Sequence, residues 1–587
     1  SGESERPGFA WFFGRDSLWT SFALNSTGDF ATTRNALEFL KKFQRADGKI
    51  PHEISQSAAL IPWFTDYPYP WASADATPLY VIAHADYWRA SGDAGFLKAN
   101  WESILKAYRF TAATDLDDNH LVENTNFGHG WVEGGGLYPP HEEIYMQGLW
   151  VEASRSITEL GLVMNDEKLV EEARANADAT SEALEKTYWS DERGFYAFST
   201  SQPREEPEQA DPGPNRERRQ ARMNELGKGR LIDEDTVMPA VPLWWRLLED
   251  ERAQSEIDHL GGGAMMTDWG SRIISNKSQL YDPLSYHHGS VWPLFTGWVA
   301  MGAYRYGRPH VGYQALMANT SLTYTNALGY VTELLSGDFN TPFGRSSHHQ
   351  IWSEAMVVTP FLRGLLGIEV LEGGQLLRFA PQLPANWNSV IVRNVRAGKS
   401  VLDFNIKRTA GRQTFIIARR DVEKQLNDTG RGFTRLELAP AFPLDAHIRK
   451  VMVNGRSVEF APRQFGDVQF IKLAINNQLA SSEVVFTYDE GVEVFVEPEA
   501  LRPGASNQGL RILRARADED ALHLRLEGLG GRTYSLKVLK PPPLAETQGK
   551  TPKATEKREM QQLRVTFEGP ADVYVRREFS IPLYEEK

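Results

Sequence analysis

Four separated segments place carboxylates, or in the third a histidine pair, among aromatic residues: FFGRDSLW at 12–19, GWVEGG at 130–135, SYHHGSVWP at 285–293 and VTELLSGDF at 331–339. Aromatic faces stack on the apolar side of a sugar ring, and carboxylates bind hydroxyls or move protons. Brought together, such residues point to a glycoside-cleaving site. Cleavage with inversion needs a protonated carboxyl to donate to the leaving oxygen. It also needs an ionised carboxylate to activate water on the opposite face, roughly 6.5–9.5 Å away. Trp11, Trp71, Trp131, Trp269 and Trp292 are candidate stacking platforms. Large aromatics in helical proteins more often fill the core, so two or three of the five are expected to meet ligand.

Two histidine pairs, His287-His288 and His348-His349, raise the question of a metal. Neighbours in sequence do not face one another on a helix, and no HxxxH or HExxH spacing occurs in these segments. Neither a metal nor a cofactor is expected. One member of each pair, His288 in the first, is read as a hydrogen-bonding partner for sugar hydroxyls, the alternative being loop packing.

Long helical patterns separate these segments. Apolar periodicity predicts helices at 15–26, 30–46, 72–91, 95–117, 141–162, 166–189, 234–249, 251–260, 287–306, 308–323 and 351–367. Ser-Thr-Gly-Asp at 26–29, Ser-Gly-Asp at 91–93 and Tyr-Gly-Arg-Pro at 306–309 are turn signals inside helix pairs. Short turns join the members of a pair, and longer loops join the pairs. Eleven helices in hairpins suggest a closed toroid of twelve, six inner and six outer, lacking one at the N-terminus. The charged, Pro-rich stretch 201–230 reads as an exposed excursion.

After about residue 370 the pattern changes to β-rich runs such as VLDFNIKR, QTFIIARR and EVVFTYD, then ALHLRLEG and TYSLKVL. Lys540 to Lys557 looks like a flexible loop in the last block. The expected fold class is α plus all-β multidomain: an (α/α)6 barrel over 1–369, then a C-terminal β-sandwich over 370–490. Residues 491–587 form a second β-rich domain or a continuation of the sandwich.

Composition narrows the partners. The excess of 77 acidic over 64 basic side chains argues against nucleic acid, and no apolar run suggests a membrane span. With no cysteine, disulfides, thiolate metal sites and cysteine nucleophiles are excluded. The Ser-Gly start reads as a processed product, a fragment or an engineered chain. An N-terminal fragment of the same precursor, or a second copy, is therefore a candidate partner. The compartment stays open, with export slightly favoured.

The four segments, with GKIPHE at 48–53, SADATPLYV at 73–81, MQGLWVEA at 146–153, DWGSRIIS at 268–275 and HHQIWSEAM at 348–356, resemble the six-hairpin toroid glycosidases. The likeness is closest to the amylo-α-1,6-glucosidase (glycogen debranching) branch and covers about 340 residues in order. LLRFAPQLPANW at 376–387 is similar to the β-domain entry that follows such toroids. The resemblance implies an inverting hydrolase of an α-glucosidic bond in an oligo- or polysaccharide. It implies Glu133 as general acid, after Trp131 and before three glycines, where the debranching branch usually has Asp after Trp-Met. It implies Glu333 as general base, 19 positions before Trp352, with Asp338 and Glu354 as rivals. Arg15, Asp16 and Asp75 would bind sugar hydroxyls, although Asp16 and Asp75 also suit helix starts. Trp131, Trp269, His288, Trp292 and Trp352 complete the implied binding set. Two alternatives remain. One is phosphorolysis on the same toroid, with GRSSHHQ at 344–350 as an anion pocket; the other is a catalytically incomplete carbohydrate-binding subunit.

Overall fold

The structure is a computed structural model. It describes residues 11–55, 69–137, 140–202, 210, 215–325, 327–344, 346–398, 400–421, 434–476, 480–498, 500–540 and 559–583.

The helices are α1 (Gly14–Thr27), α2 (Phe30–Lys42), α3 (Ala76–Ser91), α4 (Ala94–Ala112), α5 (Ile144–Met164), α6 (Glu167–Tyr188), α7 (Arg216–Leu226), α8 (Ala240–Trp244), α9 (Asp250–Gly261), α10 (Pro293–Arg305), α11 (Pro309–Leu322) and α12 (Ile351–Thr359). A π turn, Pro360–Leu365, extends α12. Helices α1, α3, α5, α8, α10 and α12 pack each on the next, and α12 closes back on α1. The inner ring is complete within this chain. Its members are apolar on nearly every face, as in PLFTGWVAMGAYR of α10. Outside it, α2, α4, α6, α9 and α11 are the outer helices among the described residues; α2, α4, α6 and α9 show one buried stripe, as amphipathic helices on a core must.

The turns explain the polarity of the ring. Inner helices α1, α3 and α5 end on left-handed Gly28, Gly92 and Asn165. Glycine and asparagine tolerate that conformation, so the chain reverses at once. An aspartate follows each time: Asp29, Asp93 and Asp166 accept from the backbone N–H of Thr32, Phe96 and Leu169, capping the outer helix. All tight turns therefore lie at one end. The long loops, and the N-termini of the inner helices, lie at the other.

Two elements differ from expectation. The helix predicted at 234–249 shrinks to Ala240–Trp244, because Pro239 opens it and Arg246 turns to φ 55° just beyond. Within 201–230, residues 216–226 form a helix rather than an exposed excursion, burying Arg219, Met223 and Leu226; residues 203–209 and 211–214 lie outside the described residues. Most of the loop expected at 540–557 also lies outside them.

The β region holds two further cores. A six-stranded sheet contains Ser389–Ala397, Ser400–Thr409, Arg412–Asp421, Ser481–Asp489, His447–Val453 and Arg456–Val458 in that spatial order. It packs on smaller sheets over Phe379, Phe404, Phe415, Phe442 and Phe486. Beyond Val492, two three-stranded sheets enclose Leu524, Leu526, Leu536, Val538 and Phe567. Buried Arg308, opening α11, ties all three cores together. Its Nη2 lies 2.5 Å from Asp258 Oδ1 of α9 and donates to Leu513 O of the last module, and its Nε lies 3.1 Å from Asp467 Oδ2 of the sandwich.

Candidate active site

The carboxylates collect at the loop end of the ring, some at the start of an inner helix and some in the loop that leads to one. Arg15 and Asp16 stand on the first turn of α1, and Asp75 immediately precedes α3. Glu133 lies in the loop before α5, and Glu333 in the loop before α12. Helix N-termini carry partial positive charge, which favours carboxylates at this end.

Arg15 is the hub. Its Nε is 2.7 Å from Asp75 Oδ2, and its Nη2 is 3.3 Å from Glu133 Oε1 and 3.3 Å from Gly130 O. Tyr145 also donates to Asp75 Oδ2 at 3.1 Å. Burial pushes Asp75 up against the pull of Arg15. Glu133 is a third exposed, and its Oε1 lies 3.8 Å from His52 Nε2 and 3.9 Å from His129 Nδ1. Burial pushes its carboxyl up, but His129, Arg15, His52 and His287 outweigh that and hold it at about 2.

Glu333 is enclosed. Tyr286 donates to its Oε1 at 3.0 Å and the Ser347 N–H to its Oε2 at 2.9 Å. Burial raises its pKa, the two hydrogen bonds oppose the rise, and the charge of Glu133 adds to it. Asp16 interacts with both glutamates and is pushed up to about 7, chiefly by burial and against Arg15. Arg15, Asp16, Asp75, Glu133 and Glu333 thus form one interacting cluster. The rivals stand apart in role: Asp338 Oδ1 accepts from Tyr281 at 2.7 Å on the loop tip, and Glu354 lies in the first turn of α12.

The Glu133 loop is clamped. His288 Nε2 accepts the Gly136 N–H at 2.8 Å, so Nδ1 carries the proton and meets Ser285 Oγ at 3.1 Å. Burial pushes this imidazole down to about 3 and keeps it neutral. Both nitrogens are occupied and the residue is 7 % exposed, so His288 holds the loop rather than meeting a sugar, a correction to the expectation. Gly135 sits at φ 78°, and a Cβ there would lie 1.9 Å from His288 Cε1, so the glycine lets the clamp close.

The tryptophans are corrected too. Trp269 and Trp292 have no exposed surface, so neither offers a face to a ring. Trp269 Nε1 donates to Ser336 O at 2.9 Å, and Trp292 Nε1 to Ser290 Oγ at 2.8 Å; they are struts of the loops. Trp131 and Trp352 are nearly covered as well. The exposed platform is Tyr286, 38 % exposed and parallel to Trp131 at 6.2 Å and 9°. Sequence reasoning passed over it although it directly precedes the histidine pair. His129 and His52 join the site as well: His129 stands four positions before Glu133 in the same segment, a signal open to sequence reading, whereas nothing in sequence links His52 to Glu133.

His52, His129 and Glu133 also place three ligand-capable atoms within 4.8 Å of one another. The same Glu133 oxygen already faces the Arg15 guanidinium at 3.3 Å, a fixed cation where a metal would need to stand. The residues fit an ion poorly.

A ring of helix hairpins with facing carboxylates at its loop end is a six-hairpin glycosidase toroid. Residues 114–353 match the family model for the mannosylglycerate hydrolase MGH1-like glycoside hydrolase domain. Among solved structures it is similar in fold to the α-L-rhamnosidase of Dictyoglumus thermophilum, at 14 % identity and TM-score 0.51, covering 81 % of this chain and 46 % of that one. The chain thus spans about half the length of that enzyme. It also aligns with a GH63 mannosylglycerate hydrolase from Thermus thermophilus, at 15 % identity and TM-score 0.46, covering 61 % of this chain and 96 % of that one. No curated protein sequence matches it.

Proposed function

We propose that the toroid hydrolyses an α-glycosidic bond with inversion. The observation that carries this is the electrostatically coupled pair: Glu133, reachable from solvent and held by Arg15, and Glu333, oriented by Tyr286 and Ser347. Glu133 gives a proton to the leaving oxygen as the C1–O bond breaks. Glu333 takes a proton from the water that forms the new bond at C1 from the other face. Arg15 and Asp16 bind hydroxyls of the sugar in the cleavage subsite, and Tyr286 lies beside its ring; Asp75, expected to bind sugar too, has no exposed surface and instead holds Arg15 in place. An α-glucosidic bond is the substrate we put forward; the mannosylglycerate hydrolase name of the matched family model makes an α-mannoside the comparison substrate.

One observation favours a second reading, with the roles exchanged. Glu133 is held at about 2, the state of a base, while Glu333 is raised. Phosphorolysis fares worse, because the Ser346 hydroxyl and the Ser347 N–H of the anion-pocket stretch are already engaged by the Glu333 loop.

Glycosyl fluorides decide among these, since fluoride departs without a proton. With α-glucosyl and α-mannosyl fluoride, Glu133→Gln should keep turning over and Glu333→Gln should not. The opposite pattern exchanges the roles. NMR of the first-formed sugar should show the β anomer; first-formed α anomer, or no cleavage of either sugar, overturns the proposal.

A further inference from the structure

The loop that carries Glu333 is not held by the helical ring alone. Its arms pair with each other: the Glu333 N–H donates to Ser347 O at 2.8 Å, and the Ser336 N–H to Thr341 O at 2.9 Å. One side of the tip belongs to the ring, where Trp269 Nε1 reaches Ser336 O and Arg272 Nε reaches Gly337 O, both at 2.9 Å. The other side belongs to the connector between Glu493–Phe495 and Arg511–Ala517, the first two strands of the last β module. The Asn340 N–H donates to Ala505 O at 2.9 Å, the Gly504 N–H to Asn340 O at 2.8 Å, and Asn340 Nδ2 to Arg502 O at 3.1 Å. Asn340 is 2 % exposed.

The connector has two more footholds. Leu501 packs against the cluster of Trp269, Val291, Leu322, Val331 and Leu335, and two of these lie two residues either side of Glu333. Asp268, next to Trp269, accepts the backbone N–H of Gln508 at 2.7 Å and of Gly509 at 3.0 Å. Buried Arg511 beyond it donates to Met266 O at 2.9 Å. One extended segment thus holds both the base loop and the turn that braces it. A general base displaced by about 1 Å can lose on the order of 100-fold in rate, so a strut at this point has catalytic consequences.

We propose that the connector at 500–511 is a positioning strut for the base carboxylate, with Asn340 as its anchor, so that the last β module serves the active site. Asn340 acts through the loop and touches no substrate. The proposal rests on Glu333 being one of the two proton-transfer groups.

The test uses the full chain with Asn340→Ala, Leu501→Ala and the pair together. Hydrogen–deuterium exchange should speed up at least about tenfold in peptides spanning 331–344 while the inner-ring helices stay protected. In turnover, kcat should fall about 10–100-fold with KM within about threefold. The pH limb assigned to Glu333 should move and the other limb stay. The double variant should be less than additive, because both changes release one strut. Unchanged exchange in the base loop overturns the strut, and so does a kcat loss that merely follows the folded fraction with both pH limbs fixed. If the wild-type chain cleaves no glycoside, the exchange arm alone judges the strut; if it does, Glu333→Gln should be inactive with unchanged exchange, which separates loss of chemistry from loss of positioning.

Discussion

Tyr286→Phe isolates one hydrogen bond at the base. The hydroxyl donates to Glu333 Oε1 at 3.0 Å; the ring, parallel to Trp131, is retained in the variant, and so is the Ser347 N–H on Oε2. A hydrogen bond to an ionised group contributes about 1.5–3 kcal/mol, and about 1.36 kcal/mol corresponds to one pKa unit. Tyr286 favours the ionised form, so its removal should raise the Glu333 pKa by about 1–2 units. If Glu333 is the base, it works ionised, and the acidic limb of kcat/KM should move up by that amount. One unit below the wild-type limb, activity should fall about 10–100-fold, while the plateau changes only a few-fold. Stopped or continuous assay of an aryl glycoside across pH measures it. Movement of the alkaline limb instead would assign Glu333 the acid role. Movement of neither limb would refute the claim that this hydroxyl tunes the catalytic carboxyl.

Gly135→Ala should cut kcat/KM about 100-fold with an unchanged circular dichroism spectrum, because its Cβ would strike His288 at 1.9 Å and displace the acid loop. Arg308→Met leaves Asp467 buried without its cation, while Asp258 keeps Arg514 and Arg525, so urea unfolding should show a loss of about 3–5 kcal/mol. Glu143 has no exposed surface, and burial pushes it up to about 8. The folded state therefore keeps a proton that the unfolded chain releases, and stability should fall as pH rises from about 4.3 to 8. Glu143→Gln should raise the melting temperature at pH 8 relative to wild type and change it little at pH 4; an equal effect at both would sink the assignment.

The sequence alone determined the helix hairpins and the change to β structure, because these follow from local chemistry. Apolar periodicity separates wholly buried α10 from amphipathic α6, and the Gly28-Asp29 and Gly92-Asp93 pairs write the reversals directly. It also marked the segments that bring Arg15, Asp16, Asp75, Glu133 and Glu333 to one end, since loops between hairpins fall together once the ring closes. Proline and a left-handed arginine cut the 234–249 helix short, a competition that periodicity does not register. Burial was decided only by tertiary structure. Trp269 and Tyr286 are both aromatic residues in loops between helices, yet one is sealed as a strut and the other is exposed, with its hydroxyl on Glu333. Which side of a loop a ring occupies depends on chains hundreds of residues away. For the same reason no local pattern could place His52 beside Glu133, show His288 occupied at both nitrogens, or reveal that the base loop leans on a connector that follows it by some 160 residues.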